Sequence, residues 1–156
     1  MRRQLLLGFA AGAAGTAALN TATYLDMAVR GRPSSSLPAE AADRLAGQAH
    51  VRLGSGDRAA NRTEGIGALF GYLTGLSTGV GYGVAYGLLR RRTGRLPLAV
   101  SGTALTAAVM TASNGPMAAT GLTDPRTWGV EGWLADLVPH LAYGFAAAAV
   151  YDALAE

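Results

Sequence analysis

Long stretches without a charged residue alternate along this chain with short charged ones. Positions 4–25, 65–89 and 96–123 hold 22, 25 and 28 residues without Asp, Glu, Lys or Arg. A shorter uncharged run covers 137–151 and has apolar residues on both sides. A helix needs about 20 mainly apolar residues to cross the hydrocarbon core of a bilayer. The pattern therefore predicts four transmembrane helices, at about 4–28, 65–89, 96–121 and 134–154.

The segment 30–64 is polar and has a different pattern. A loop composition at Gly31–Ser36 precedes a predicted helix at Pro38–Leu53, in which Ala42, Leu45, Ala49 and Leu53 form a narrow apolar stripe. A short amphipathic helix of this kind suits a membrane surface. The predicted fold is therefore all-α, a four-helix transmembrane bundle with a surface helix between spans 1 and 2. We expect a single integral membrane domain over residues 1–156.

Glycines recur at every fourth position of the second predicted span. In water each would cost a helix about 1 kcal/mol relative to alanine. In a bilayer the backbone is held helical, and a row of glycines lets another helix approach closely. Steps of four advance about 40° around a helix, so the row winds about 200° and favours different partner helices at its two ends. The predicted helix-packing residues of this glycine zipper are Gly67, Gly71, Gly75, Gly79, Gly83 and Gly87.

The first span has a similar row of small or polar residues on one face. Gly8, Gly12, Thr16 and Asn20 also stand four residues apart, and we expect them to dock against the glycine row. The arginines before this span resemble a signal sequence, but the apolar run exceeds the 7–15 residues of a signal core. An uncleaved first span is therefore favoured, with a cleaved signal as the alternative.

Composition supports a membrane setting. Half of the residues are hydrophobic and 15% are charged, against about 25% in soluble domains. There is no cysteine, which excludes disulfides and thiolate sites, and all 13 basic residues are arginines. The arginines flank the apolar runs, so they indicate membrane topology and a lipid bilayer as partner, with no nucleic acid.

Clusters of arginine next to span ends predict orientation. Arg2, Arg3 and the group at 90–95 lie immediately beside spans, where the positive-inside rule is strongest. We therefore expect a multi-pass protein of the cell inner membrane with both termini in the cytoplasm.

A few polar side chains lie within the predicted spans. Asp136 and His140 are one helical turn apart, and Tyr143 follows after three residues. An intramembrane His supported by a carboxylate could relay protons or hold a cation. The structural alternative is that Asp136 caps its helix while His140 donates to a carbonyl or to Asn20. The candidate polar site consists of Asn20, Asn114, Asp136, His140 and Tyr143.

The same residues predict no enzyme. One His with one carboxylate is half of a metal site, and no catalytic triad or phosphate loop is present. We therefore expect no catalytic residues, no cofactor and no metal.

Three segments carry a resemblance to a known group of proteins: Gly12–Thr16, Pro38–Glu40 and His140–Gly144. With them the whole chain resembles the small, multi-spanning proteins of bacterial inner membranes of the YagU type. The resemblance implies an integral membrane protein and no particular activity. The expected function is a non-enzymatic membrane module or assembly subunit, acting as a homo-oligomer or with a membrane partner protein. The alternative is a small transporter or channel with a polar site around His140.

Overall fold

The protein is all-α in the computed structural model, which describes residues 1–156. Five α-helices and one short 3-10 turn follow one another without any strand. The turn covers Pro125–Thr127. The helices are α1 (Arg2–Arg30), α2 (Leu37–Gln48), α3 (Asp57–Thr93), α4 (Leu98–Ala119) and α5 (Val130–Ala155).

Some helix boundaries differ from the predicted ones. Helix α3 begins at Asp57 rather than near position 65, since its polar first turns contain helix-forming Arg, Ala and Glu. Its 37 residues reach about 55 Å. Helix α2 ends at Gln48, five residues early, and a left-handed His50 follows (φ 56°). Helix α4, by contrast, agrees with the predicted span 96–121 and contains Pro116.

The four long helices run alternately in opposite directions. Gly8 of α1 faces Gly79 of α3 while Gly12 faces Gly75, which makes this pair antiparallel. Helix α5 packs along α1 and touches α3 through the side chains of Tyr143 and Tyr151, and α4 packs mainly on α5. As a result, the start of α1 and the end of α5 meet at one end of the molecule, where Arg3 donates to the Leu154 carbonyl (3.3 Å).

Different helices cover the two ends of the glycine row. Gly67 lies against α2, where a Cβ would come within 2.5 Å of the Pro38 carbonyl carbon. Gly75, Gly79 and Gly83 face α1. Gly87 meets Gln4 of α1 and Tyr151 of α5, whereas a Cβ at Gly71 would have nothing within 4 Å.

The interior consists of small and polar residues, and the large apolar ones lie outside. Of the 24 buried residues, only Leu105 and Val109 are aliphatic residues larger than alanine. Leu6 is 71% exposed and Phe9 52%, and both belong to the uncharged stretch 4–25 of α1. This distribution is the reverse of that in a soluble domain, where large aliphatic side chains form the core.

Two helices, α1 and α5, are long and apolar enough to cross a membrane. Such helices are weak evidence by themselves, because signal sequences and core helices share these properties. Helices α3 and α4 contain many Gly, Ser and Thr residues, which reduce their mean hydropathy. The all-α prediction is confirmed, whereas a bundle of four spans is not confirmed by hydropathy.

Candidate functional site

A cluster of polar side chains connects α4 to α5 near the end opposite the chain termini. Asn114 Nδ2 donates to Asp136 Oδ2 (2.9 Å), and His140 Nδ1 lies 2.6 Å from the Asp136 carbonyl oxygen. The other ring nitrogen, His140 Nε2, is 3.1 Å from Ser113 Oγ. The His140 residue is 9% exposed, so its partners are within the protein. The cluster joins two helices through side chains that are largely removed from the surroundings.

The hydrogen bonds of His140 determine where its protons lie. A carbonyl oxygen only accepts, so Nδ1 carries a hydrogen. In the neutral ring Nε2 then accepts from the Ser113 hydroxyl. In the cationic ring Nε2 donates to Ser113 Oγ, and this hydroxyl can turn to the Val109 carbonyl at 2.9 Å. Both charge states are therefore fully hydrogen-bonded without movement of a heavy atom. Asp136 Oδ1 lies 3.6 Å from Nδ1.

The structure brings three of the five predicted site residues together. Asn114, Asp136 and His140 belong to this cluster, with Asp136 in the second turn of α5 rather than at its N-cap, which is Gly129. Tyr143 instead donates to the Gly75 carbonyl (2.5 Å) and packs against α1 and α3. Asn20 is exposed and makes no side-chain hydrogen bond with the rest of the chain.

Ser113 is a member of this cluster that sequence reasoning missed. It lies beside Asn114 in α4, and this polar pair was the available signal. A hydroxyl in a helix normally bonds to its own backbone, as Ser113 also does, so its contact with His140 depends on how α4 packs.

A second polar cluster, also missed, lies at the end with the chain termini. Asp152 is completely buried, with Oδ2 3.1 Å from Arg95 Nε and Oδ1 3.5 Å from Arg90 Nη1. Arg95 also pairs with Glu156 (2.6 Å). In the sequence these partners are up to 62 residues apart, and Asp152 follows directly on the uncharged run 137–151. Packing of α3, α5 and the turn before α4 makes it a buried ion pair.

Aromatic rings surround this second cluster. Tyr151 contacts the rings of Tyr82 and Tyr86 at centroid distances of 5.6 and 5.5 Å, and its hydroxyl donates to the Gly83 carbonyl (2.9 Å). The Tyr86 hydroxyl accepts from the Leu96 N–H (3.0 Å), which joins the end of α3 to the turn before α4. These contacts join α3, α5 and the turn before α4 next to the buried Asp152.

The molecule has a cavity at each end. One of about 260 Å³ lies beside the Asp152 cluster and is lined by Arg3, Gln4, Arg90 and Arg91, among others. The other, about 500 Å³, opens between Arg30 and Glu131 at the opposite end.

Comparison with known proteins gives no matching family model, and no curated protein or solved structure is significantly similar to this chain. The resemblance to YagU-type proteins therefore stays a prediction. The function has to be argued from the geometry of this chain.

The two ends differ in charge. The end with the chain termini has six arginines and two acidic residues, whereas the opposite end has seven arginines and eight acidic residues. Several arginines at the opposite end are neutralised locally, as Arg30 and Arg32 are by Asp26 (2.6 and 2.5 Å). We call the end with the chain termini the arginine end. Its positive charge is only partly compensated.

Proposed function

We propose that this protein is a non-enzymatic integral membrane module, a bundle of four transmembrane helices with α2 at the membrane surface. The distribution of apolar residues carries this proposal. In lipid, large apolar side chains gain no free energy by moving from the bilayer into the protein interior. Helices associate instead through small residues that pack closely. An exterior of leucine, valine and aromatic residues around an interior of glycine, alanine, threonine and three tyrosines is favourable in lipid. In water the same exterior would leave many large apolar side chains exposed.

Helices α3 and α4 cross the membrane in this proposal despite their lower hydropathy. Glycine, serine and threonine reduce the mean hydropathy, but much of this polarity faces other helices: Gly75, Gly79 and Gly83 are buried by α1. The side of α3 that faces outwards presents Phe70 and Leu73 instead. Helix α3 packs along α1 and α4 packs along α5, with each pair antiparallel, so in this proposal the four span the same depth.

The arginine end faces the cytoplasm of a bacterial cell in this proposal. Arginines in short segments beside spans remain on the inner side of the membrane. Both chain termini would then be cytoplasmic, and α2 would lie on the outer face of the inner membrane. The residues concerned are Arg2, Arg3, Arg90, Arg91, Arg92 and Arg95.

Cysteine labelling tests this topology directly, since the chain has no cysteine of its own. Single replacements are placed after α1 (Ser34→Cys), at the last residue of α3 (Thr93→Cys) and after α4 (Thr127→Cys), all exposed positions. A membrane-impermeant maleimide should label the first and third in intact cells, and the second only after permeabilisation. Labelling of Thr93→Cys together with Ser34→Cys would show that α3 does not cross.

Self-association of the module would need surfaces other than the glycine row. Five of its six glycines are already in contact with other parts of the same chain, and Gly71 alone remains open. A second copy or a membrane partner protein would therefore contact the outward faces of the bundle. Chemical crosslinking in membranes, followed by gel electrophoresis, distinguishes a monomer from an oligomer.

A small transporter or channel is the second candidate, favoured by the Ser113–His140–Asp136–Asn114 cluster. Its two hydrogen-bonded charge states would let it pick up and release a proton. In that case, His140→Gln should abolish proton or cation flux in proteoliposomes, while Tyr143→Phe, a matched change one turn deeper, should leave it largely intact. Undiminished flux in His140→Gln would exclude this cluster from the transport path.

A further inference from the structure

Positive charge at the arginine end surrounds a cavity that the proposed membrane function does not use. This cavity, of about 260 Å³, is lined on one side by Arg3 and Gln4 of α1 and on the other by Arg90 and Arg91 of α3. Small-molecule pockets are roughly 300–1,000 Å³, so its size suits one compact polar group.

The guanidinium groups around the cavity are incompletely paired. Asp152 lies next to Arg90, but this carboxylate is shared with Arg95, which is closer. Arg90 Nη1 makes no hydrogen bond, but it lies 3.5 Å from Asp152 Oδ1, which also makes none, so these two buried atoms form an ion pair. Neither Arg3 nor Arg91 has a carboxylate within 4.0 Å. The cavity is therefore lined by two uncompensated cations, Arg3 and Arg91, beside the paired Arg90.

Arg3 and Arg91 line one cavity and have no carboxylate partner, so an anion placed between them would gain charge-assisted hydrogen bonds. The required group is an anion with several acceptor oxygens, since donors converge from more than one side. Gln4 Oε1 is also buried without a partner, and it could accept from a hydroxyl or a protonated oxygen of such a group. The start of α1, which has no acidic residue in its first turn, adds the favourable end of its dipole.

We propose that this cavity binds a phosphate group, held by Arg3, Arg90 and Arg91. Arginine suits it because its planar fork pairs with two phosphate oxygens at once. Two sources share this chemistry. Anionic phospholipid headgroups lie at this depth if α1 crosses the membrane, and basic pockets between transmembrane helices bind such headgroups on the cytoplasmic side. Free phosphate would reach the same groups from water.

The alternative role for these arginines is structural, since basic side chains at helix C-termini bond the last carbonyls. Arg3 does so with Leu154 at 3.3 Å. Two double variants separate this general role from the cavity. Arg3→Gln with Arg91→Gln removes two residues that line the cavity, whereas Arg2→Gln with Arg92→Gln removes the same charge from neighbouring positions that do not.

The experiment measures retained lipid by native mass spectrometry of the full chain in detergent, after addition of phosphatidylglycerol or phosphatidylcholine. We expect phosphatidylglycerol to bind preferentially to the wild type. Affinity should fall at least tenfold in R3Q/R91Q and less than twofold in R2Q/R92Q. Equal losses in the two variants would mean that net charge alone attracts the lipid, and would overturn the proposal.

A second measurement, with inorganic phosphate, shows whether the ligand is a lipid headgroup or free phosphate. It does not depend on the proposal that the protein spans a membrane. Phosphate is added to the same detergent samples, and thermal unfolding is measured with sulfate-free and phosphate-free buffer as reference. A shift in the wild type that is absent from R3Q/R91Q shows that the phosphate group suffices. If phosphatidylglycerol binds as expected and phosphate gives no shift, the ligand is the lipid. If neither binds, the cavity is not a phosphate site, whatever the labelling of Ser34→Cys and Thr93→Cys shows.

Discussion

Replacement of Gly83 by alanine tests the close approach of α1 and α3 with a single methyl group. A Cβ at this position would lie 2.6 Å from Gly8 Cα and 2.7 Å from the Gln4 carbonyl oxygen. Ordinary contacts of a Cβ are 3.4–4 Å, and both neighbours are backbone atoms that cannot rotate away. The two helices would therefore have to separate by about 1 Å along this contact, given packing at crystal-like density.

The magnitude follows from two opposing effects. Overpacking of a tight contact costs about 1–3 kcal/mol. Alanine gains up to about 1 kcal/mol in helix propensity over glycine, and less where the surroundings already hold the helix. We therefore expect Gly83→Ala to reduce the free energy of unfolding by about 1–2 kcal/mol. Gly12→Ala should cost less, because its nearest neighbours are at 3.0 and 3.1 Å.

Gly71→Ala is the matched control in the same helix and the same row. Its methyl group would meet no atom of another helix, so it should be neutral or raise stability by up to about 1 kcal/mol. The assay is unfolding in mixed micelles by titration with sodium dodecyl sulfate, followed by far-ultraviolet circular dichroism. A double variant of Gly8→Ala and Gly83→Ala should cost less than the sum, since one separation relieves both overlaps.

Equal stabilities of Gly83→Ala and Gly71→Ala would refute this reasoning. Such a result would mean that α1 and α3 do not approach closely in the folded protein. An additive double variant would be inconsistent with a shared contact.

Three further predictions concern hydrogen bonds and charges. Tyr143→Phe removes the bond to the Gly75 carbonyl and should cost about 1 kcal/mol in the same titration, whereas no loss would exclude that bond. Asp152→Asn should reduce the free energy of unfolding by about 1–3 kcal/mol, which is less than the loss from a fully buried ion pair because its arginines are partly exposed. Unchanged stability would contradict the ion pair. Arg126 lowers the pKa of Asp124 from its ordinary value of 3.8. The ion pair therefore stabilises its turn at pH values above 3.8, and this stabilisation is lost as the pH falls through the lowered pKa. Tryptophan fluorescence should follow this loss, and an Asp124→Asn variant that shows the same transition would exclude Asp124 as its source.

The positions of the helices were predictable because charged residues bound each long uncharged run. The glycine row predicted two different partner helices, and α2 and α1 occupy its two ends. Boundaries were predicted less well, since polar helix formers extend α3 to Asp57 and α5 begins at Val130. For that reason Asp136 is within a helix and bonds to Asn114 of α4, rather than capping its own helix.

The sequence predicted only part of the candidate site. Asp136 and His140 are one turn apart on one helix, so their proximity was certain once the helix was predicted. The addition of Asn114 and Ser113, and the separation of Asn20 and Tyr143, depended on which faces of α1, α4 and α5 meet. Local periodicity does not contain that information.

By itself the sequence determined the helical class, the row of small residues and the concentration of arginine beside apolar runs, because these depend on local composition and spacing. Tertiary structure alone decided that Asp152 is buried between arginines and that two guanidinium groups line a cavity with no carboxylate of their own. Residues as distant as Arg3, Arg90 and Asp152 meet only because antiparallel helices bring their ends together. Their charges interact through space, and no pattern along the chain specifies the distances between them.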